Sequence, residues 1–194
     1  FPVIAENDVT AFTISYTKPD KIITTTRQAI TIPLIVQNNT SKARECISEL
    51  ILPDNWKAVH TPMLFSLEST DSTLVLPIIF IPHGTRAGIH HITYKVIDKN
   101  KQTVSEFIML PVRVLPSYLI DIEHINAPKY VIAGTDFTSQ FSVINRGNII
   151  TRVELRIHSM DGIPYSVQPF GENRIFSIPP GGFQLLEITV KTDK

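Results

Sequence analysis

Apolar and polar residues alternate with period two along much of this chain. Ile30-Thr31-Ile32-Pro33-Leu34-Ile35-Val36-Gln37 is one such run, rich in β-branched residues. The pattern predicts half-buried strands. Leu74-Val75-Leu76-Pro77-Ile78-Ile79-Phe80-Ile81 is nearly continuous, as expected of a strand in the middle of a sandwich. Gly88 then opens Ile89 to Val96, where His90, Ile92, Tyr94 and Val96 share one face. Asp98-Lys99-Asn100-Lys101 is a polar turn, and Thr103 to Val114 returns as a second strand. The pair reads as a β-hairpin. Pro33, Pro77 and Pro111 interrupt these runs. Proline cannot donate to a strand ladder, so each predicts a bulge, a break or an edge. Between Lys42 and Leu52, residues Cys46, Ile47, Leu50 and Ile51 also fit a helix, with Ser41 as N-cap and Pro53 as stop. An internal repeat decides in favour of a strand.

Val36-Gln37-Asn38-Asn39-Thr40 resembles Val143-Ile144-Asn145-Arg146-Gly147, 107 residues later. Each closes an alternating run and is followed by another: Ile47 to Leu52 in the first copy, Val153-Glu154-Leu155-Arg156-Ile157 in the second. In the latter, Arg152, Glu154 and Arg156 alternate with apolar residues as on a half-exposed strand. Phe65-Ser66-Leu67 then matches Phe176-Ser177-Ile178. A turn follows each, Ser69-Thr70-Asp71-Ser72 or Pro179-Pro180-Gly181-Gly182, and then one more apolar strand. Shared order on this scale predicts two copies of one fold. The expected architecture is all-β: two tandem immunoglobulin-like sandwiches, residues 1–115 and 116–194, with Val114-Leu115-Pro116-Ser117 as hinge. The second copy stops after Leu185-Leu186-Glu187-Ile188-Thr189-Val190 and lacks counterparts of the 89–97 and 103–114 strands. Such a sheet leaves core faces and a strand edge open. Truncation or a smaller topology accounts for this in preference to strands donated by another chain.

Composition narrows the class. The chain is 43% hydrophobic and 19% charged, enough to bury a real core. Lys plus Arg and Asp plus Glu both total 18, so nothing in the charge favours nucleic acid as a partner. No apolar run reaches the roughly 18 residues of a membrane helix, so no membrane insertion is expected. Phe1-Pro2-Val3-Ile4-Ala5 lacks the pattern of a signal peptide, which leaves a cytosolic chain or a trimmed piece of an exported one. Cys46 is the single cysteine, so no internal disulfide can form.

Candidate chemistry is sparse. His90 and His91 are adjacent, and neighbours on a strand point to opposite faces, so they cannot share a metal. No acidic pair, nucleophile elbow or phosphate loop is spaced for catalysis, and no cofactor is implied. Trp56 is either a sugar-stacking platform or a core plug. Asn38-Asn39-Thr40-Ser41 holds two overlapping glycosylation sequons that turn chemistry also explains. Arg146 and Asn148, in Asn145-Arg146-Gly147-Asn148, read first as a turn and second as a recognition loop.

Several motifs in the first copy occur together: Val36-x-Asn38, Leu52-Pro53-Asp54-Asn55-Trp56, Phe65-x-Leu67, Ile81-Pro82, and Ala87-Gly88-x-His90-x-Ile92-x-Tyr94. Together they resemble the bacterial and archaeal immunoglobulin-like modules of the alpha-galactosidase-associated (NPCBM-associated) type. The resemblance covers residues 29–97, with weaker copies over 136–190. It departs at His90, usually a tyrosine there, and at 69–72, which lacks the usual Pro-Gly turn. It implies a non-catalytic structural, adhesion or binding module of a secreted, periplasmic or cell-surface protein. A protein or glycan partner would be held by loops or an exposed strand edge. Two alternatives stand beside it: an assembly factor similar in plan to periplasmic pilus chaperones, acting by strand addition, and an accessory domain of a carbohydrate-active enzyme.

Overall fold

A computed structural model describes residues 10–18, 21–59, 63–100, 105–158, 163–170 and 175–192. The described residues form strands and turns, with no helix. The chain separates into two compact units, Phe1–Leu115 and Pro116–Lys194.

The first unit contains β1 (Phe12–Tyr16), β2 (Ile22–Thr24), β3 (Gln28–Thr31), β4 (Leu34–Asn38), β5 (Arg44–Ile51) and β6 (Lys57–Ala58). It continues with β7 (Met63–Leu67), β8 (Ser72–Val75), β9 (Ile78–Ile81), β10 (Gly88–Asp98) and β11 (Ser105–Val114). One layer is a five-stranded sheet in the order β2-β11-β10-β5-β7. The other is built from β1-β4-β8 and β3-β9-β6. Phe12, Leu34, Val36, Val75 and Ile79 from one layer meet Cys46, Leu67, Ile92, Tyr94, Val96 and Val112 from the other in one buried cluster. Burial alternates along β10, where Ile92, Tyr94 and Val96 are buried as their shared face requires.

The prolines act as their chemistry dictates. Pro33 separates β3 from β4 and Pro77 separates β8 from β9, so one long ribbon is broken in both strands. The break is bridged by a hydrogen bond from the Ile32 amide to the Pro77 carbonyl, 3.0 Å. Pro111 pairs with His91 and lies just outside the three-residue β2–β11 pairing, where no donor is needed. The segment that fits both a helix and a strand is β5, paired with β10 on one side and β7 on the other. The hairpin of β10 and β11 runs from Gly88 opposite Val114 to Ile97 opposite Ser105, and its tip is described as far as Asn100, whose amide donates to Asp98 Oδ1 at 2.8 Å.

The second unit contains β12 (Ile120–Asn126), β13 (Phe137–Asn145), β14 (Thr151–Glu154), β15 (Tyr165–Gln168), β16 (Ile175–Ile178) and β17 (Phe183–Val190). One layer is β12-β13-β17-β15 and the other is β14-β16 alone. Val143, Ile178 and Leu186 form its buried centre, with Phe141, Val153, Leu155, Phe170 and Phe176 partly buried around it. The rings of Phe170 and Phe176 stack at 4.6 Å.

The registers of the two units coincide. In the first, Arg44 and Cys46 lie opposite Leu67 and Phe65. In the second, Thr151 and Val153 lie opposite Ile178 and Phe176. β14 therefore stands where β5 stands, residue for residue. The same buried asparagine ends the central strand of each copy. Asn38 Nδ2 donates to the carbonyls of Lys42 at 2.8 Å and Glu68 at 2.9 Å, while its Oδ1 accepts from the Thr40 amide. Asn145 Nδ2 donates to the carbonyls of Ile149 at 2.7 Å and Ile178 at 2.8 Å, while its Oδ1 accepts from the Gly147 amide. In each copy one amide side chain ties a strand end to the loops on both sides of it.

Candidate functional site

β14 pairs with β16 on one side only. Among the described residues no strand lies on its other side, where β5 carries β10 and, beyond it, β11 and β2. An unpaired strand presents free N–H and C=O groups to any extended chain that approaches. The burial pattern from Thr151 to His158 alternates without a break. Thr151, Val153, Leu155 and Ile157 face inward and remain partly exposed, whereas Arg152, Glu154 and Arg156 face solvent. At the matching inward positions of β5, Cys46 and Ser48 are buried by the hairpin. β14 stops at Glu154, short of the strand that the 153–157 run predicts, and just past its end Arg156 Nε donates to Glu154 Oε1 at 2.8 Å. That hydrogen bond and its charge raise the Arg156 pKa, and the same contacts lower that of Glu154.

A second concavity lies at one end of the first sandwich. Pro53, Asp54, Trp56, Thr85, Arg86 and His90 are among the residues lining a cleft of about 530 Å³. Trp56 is 7% exposed, and its ring centroid is 5.4 Å from that of His90. His90 Nε2 is 2.8 Å from the Arg86 carbonyl, which fixes the imidazole against the loop. A ring buried to this degree leaves little face for a sugar to stack on. The buried Thr85 Oγ1 has no hydrogen-bond partner among the described residues.

The second-unit loop residues singled out from sequence have structural contacts. Asn148 is 2% exposed, and its Oδ1 accepts from the Ser117 amide at 2.6 Å. It therefore pins the first segment of its own unit. Arg146 is exposed and bridges two carboxylates of β12, with Nε 2.9 Å from Asp121 Oδ2 and a second contact to Glu123. The hydrogen bond to Asp121, then the charge of Glu123, raises its pKa. Gly147 lies between them because a Cβ there would come within 2.2 Å of the Ser117 carbonyl oxygen. Of the two sequon asparagines, Asn38 is fully buried. Asn39 donates to the Thr10 carbonyl and to Thr13 Oγ1, both at 2.8 Å. Trp56 belongs to the first unit, and Arg146 and Asn148 to the second.

Cys46 is fully buried under the first hairpin. Burial, with the nearby Asp98 carboxylate, pushes its thiol pKa up to about 11. A thiol held protonated and out of solvent is not a nucleophile at neutral pH. Among the described residues no group of three or more His, Cys, Asp or Glu side chains could hold a metal ion. No helix of the described residues is long and apolar enough to cross a membrane.

No protein-family model matches the chain, and no curated protein sequence does. Among solved structures it is similar to a Porphyromonas gingivalis W83 protein of unknown function, at 12% identity and a TM-score of 0.38, over 93% of this chain and 83% of that one. It is similar to the Escherichia coli chaperone DraB at 14% identity and a TM-score of 0.37, over 91% and 84% of the two chains. It is also similar to a PapD-like domain of human CEP192 at 13% identity and a TM-score of 0.38, over 55% and 84%.

Proposed function

We propose that this chain is a non-catalytic protein-binding module whose strand β14, unpaired on one side among the described residues, takes up an extended segment by strand addition. The reading rests on the difference between two equivalent strands. β5 and β14 occupy the same place in the same fold, and β5 has a hairpin beside it where β14, among the described residues, has an open ladder over a partly exposed apolar row. Strand addition uses such an edge: main-chain hydrogen bonds hold the guest, and inward pockets select its alternate side chains. The resemblance to alpha-galactosidase-associated modules supports a secreted, periplasmic or cell-surface setting. The alternative of a glycan held at Trp56 lacks comparable support, because the indole is largely covered.

The test places a photo-crosslinking residue at Arg152, on the outward row of β14, and in a second protein at Asp54, in the cleft lining. Binding by strand addition yields partner crosslinks from position 152 that map to an extended segment. Crosslinks from position 54 with none from 152 would move the binding surface to the first unit and end this proposal.

A further inference from the structure

The outward face of the five-stranded sheet in the first sandwich is apolar where a solvated face is polar. An antiparallel sheet with one face on the core normally turns polar side chains to water on the other. Here the outward positions of β11 include Phe107 and Met109, and those of β5 and β7 include Ile51 and Leu64, each more than half exposed. Ile47 and Ile97 face the same way and are partly covered. A contiguous apolar surface of this kind marks an interaction site. It lies on the surface of paired strands and owes nothing to an unpaired edge.

Register decides what fits it. On this face Thr93 of β10 lies opposite Ile51 of β5, Lys95 opposite Glu49, and Ile97 opposite Ile47. Each step is therefore uncharged on both strands, or basic on β10 and acidic on β5. Beyond them Lys99 Nζ lies 2.9 Å from Glu45 Oε2, an ion pair within the chain. Lys95 and Glu49 are also cross-strand neighbours, yet among the described residues no ion pair joins them. One ammonium and one carboxylate thus stand in the middle of an apolar surface, and a surface that covers it must bring the opposite charge to each.

We infer that this face binds a second copy of itself, sheet against sheet, about a two-fold axis that runs along the strands between β10 and β5. That axis lays β10 of one copy over β5 of the other in the same register. Lys95 of each copy then meets Glu49 of the other, Ile97 meets Ile47, and Phe107 and Met109 come down on the side of Leu64. An axis at right angles to the strands through the same row would lay Lys95 on Lys95 and Glu49 on Glu49, and like charges exclude it. β10 and β11 run for 11 and 10 residues. With a rise of about 3.3 Å and four strands about 4.8 Å apart, the face measures roughly 20 by 30 Å. That footprint is comparable to the ~800 Å² that a standard interface covers on each side. The apolar side chains supply the affinity, and the two central ion pairs set the register. The inference is independent of strand addition at β14.

The test is sedimentation equilibrium of the 194-residue chain. The wild type should form a reversible dimer of twice 21.8 kDa. Phe107→Asp should return it to monomer. Glu49→Lys and Lys95→Glu should each weaken self-association about a hundredfold, because the two-fold axis doubles every like-charge contact. Mixing those two variants should restore association as a heterodimer, since one brings two lysines to the centre and the other two glutamates. The exchange Lys95→Glu, Glu49→Lys within one chain should restore the homodimer. Recovery in the mixture also shows that each single variant is folded. A chain that stays monomeric at millimolar concentration would overturn the inference. So would a dimer that keeps its affinity in both charge variants, or two weakened variants that fail to associate when mixed.

Discussion

The two sandwiches share a register, a buried asparagine and a strand order, and they differ in what lies beside one strand. In the first, the hairpin of β10 and β11 covers β5 and supplies Ile92, Tyr94, Val96, Leu110 and Val112 to a single large core. In the second, Val143, Ile178 and Leu186 form the buried centre, and the row from Val153 to Leu155 stays half open. The comparison shows the asparagine latch and the β5-type strand register in both copies, although among the described residues only the first has a hairpin beside that strand. What the hairpin adds is closure, and with it most of the apolar burial that stabilises a sandwich.

The largest way to break the comparison is to empty the closed core. Tyr94 is the bulkiest of the fully buried side chains and comes from the hairpin. Tyr94→Ala should cost about 4 kcal/mol in the first sandwich. Trp56 is the only tryptophan and lies in that unit, so its fluorescence follows the loss during urea unfolding. The second unit should keep its own transition. If both units unfold together, the separation drawn between them is wrong.

The latches should behave alike where the cores do not. Asn38→Ala and Asn145→Ala each strand buried carbonyls and amides, at about 3 kcal/mol per sandwich. The first should lower the fluorescence midpoint, and the second only the remaining transition seen by circular dichroism. Unequal losses would show that the matched hydrogen bonds carry different weight in the two copies.

A smaller effect separates the inward rows. The Asp98 side chain is 2% exposed and pairs with Arg44, which is 17% exposed. Asp98→Asn removes the charge but keeps acceptor and donor atoms, and should cost about 2 kcal/mol. Thr151→Ala, at the place corresponding to Arg44, should change stability by about 0.5 kcal/mol or less. The two variants are compared by the same urea titration.

A last effect appears only at alkaline pH. Cys46 has a folded pKa of about 11 against 9.0 for the free group. Its raised pKa means that the folded state holds the proton more tightly. The contribution is full below pH 9 and is lost as pH rises toward 11. Cys46→Ala should therefore flatten the alkaline fall in first-sandwich stability, and the wild-type thiol should react with a disulfide reagent only on unfolding. Fast labelling of the folded chain at pH 8 would contradict the burial argument.

Much of this fold is legible in period-two alternation and in the breaks that proline imposes at Pro33 and Pro77. The pairing of Val36-x-Asn38 with Val143-x-Asn145 marks the register that the sheets adopt. Residues 116–194 hold no counterpart of the β10–β11 hairpin. Sequence does not single out the residues along β14, because Arg152, Glu154 and Arg156 look like an ordinary solvated row. Trp56, Arg146 and Asn148 stand out as rare or turn-forming residues. Solvent exposure and hydrogen-bond partners, which decide what they do, are set by loops that periodicity does not describe.

The most direct test of the account is amide hydrogen exchange along β5 and β14 in the same chain. The account predicts strong protection throughout β5, which is paired on both sides. It predicts an alternating pattern in Thr151–Glu154, with amides facing β16 protected and those facing the free edge exchanging quickly. Uniform protection of β14 equal to that of β5 would mean the edge is already covered, and would contradict the central claim.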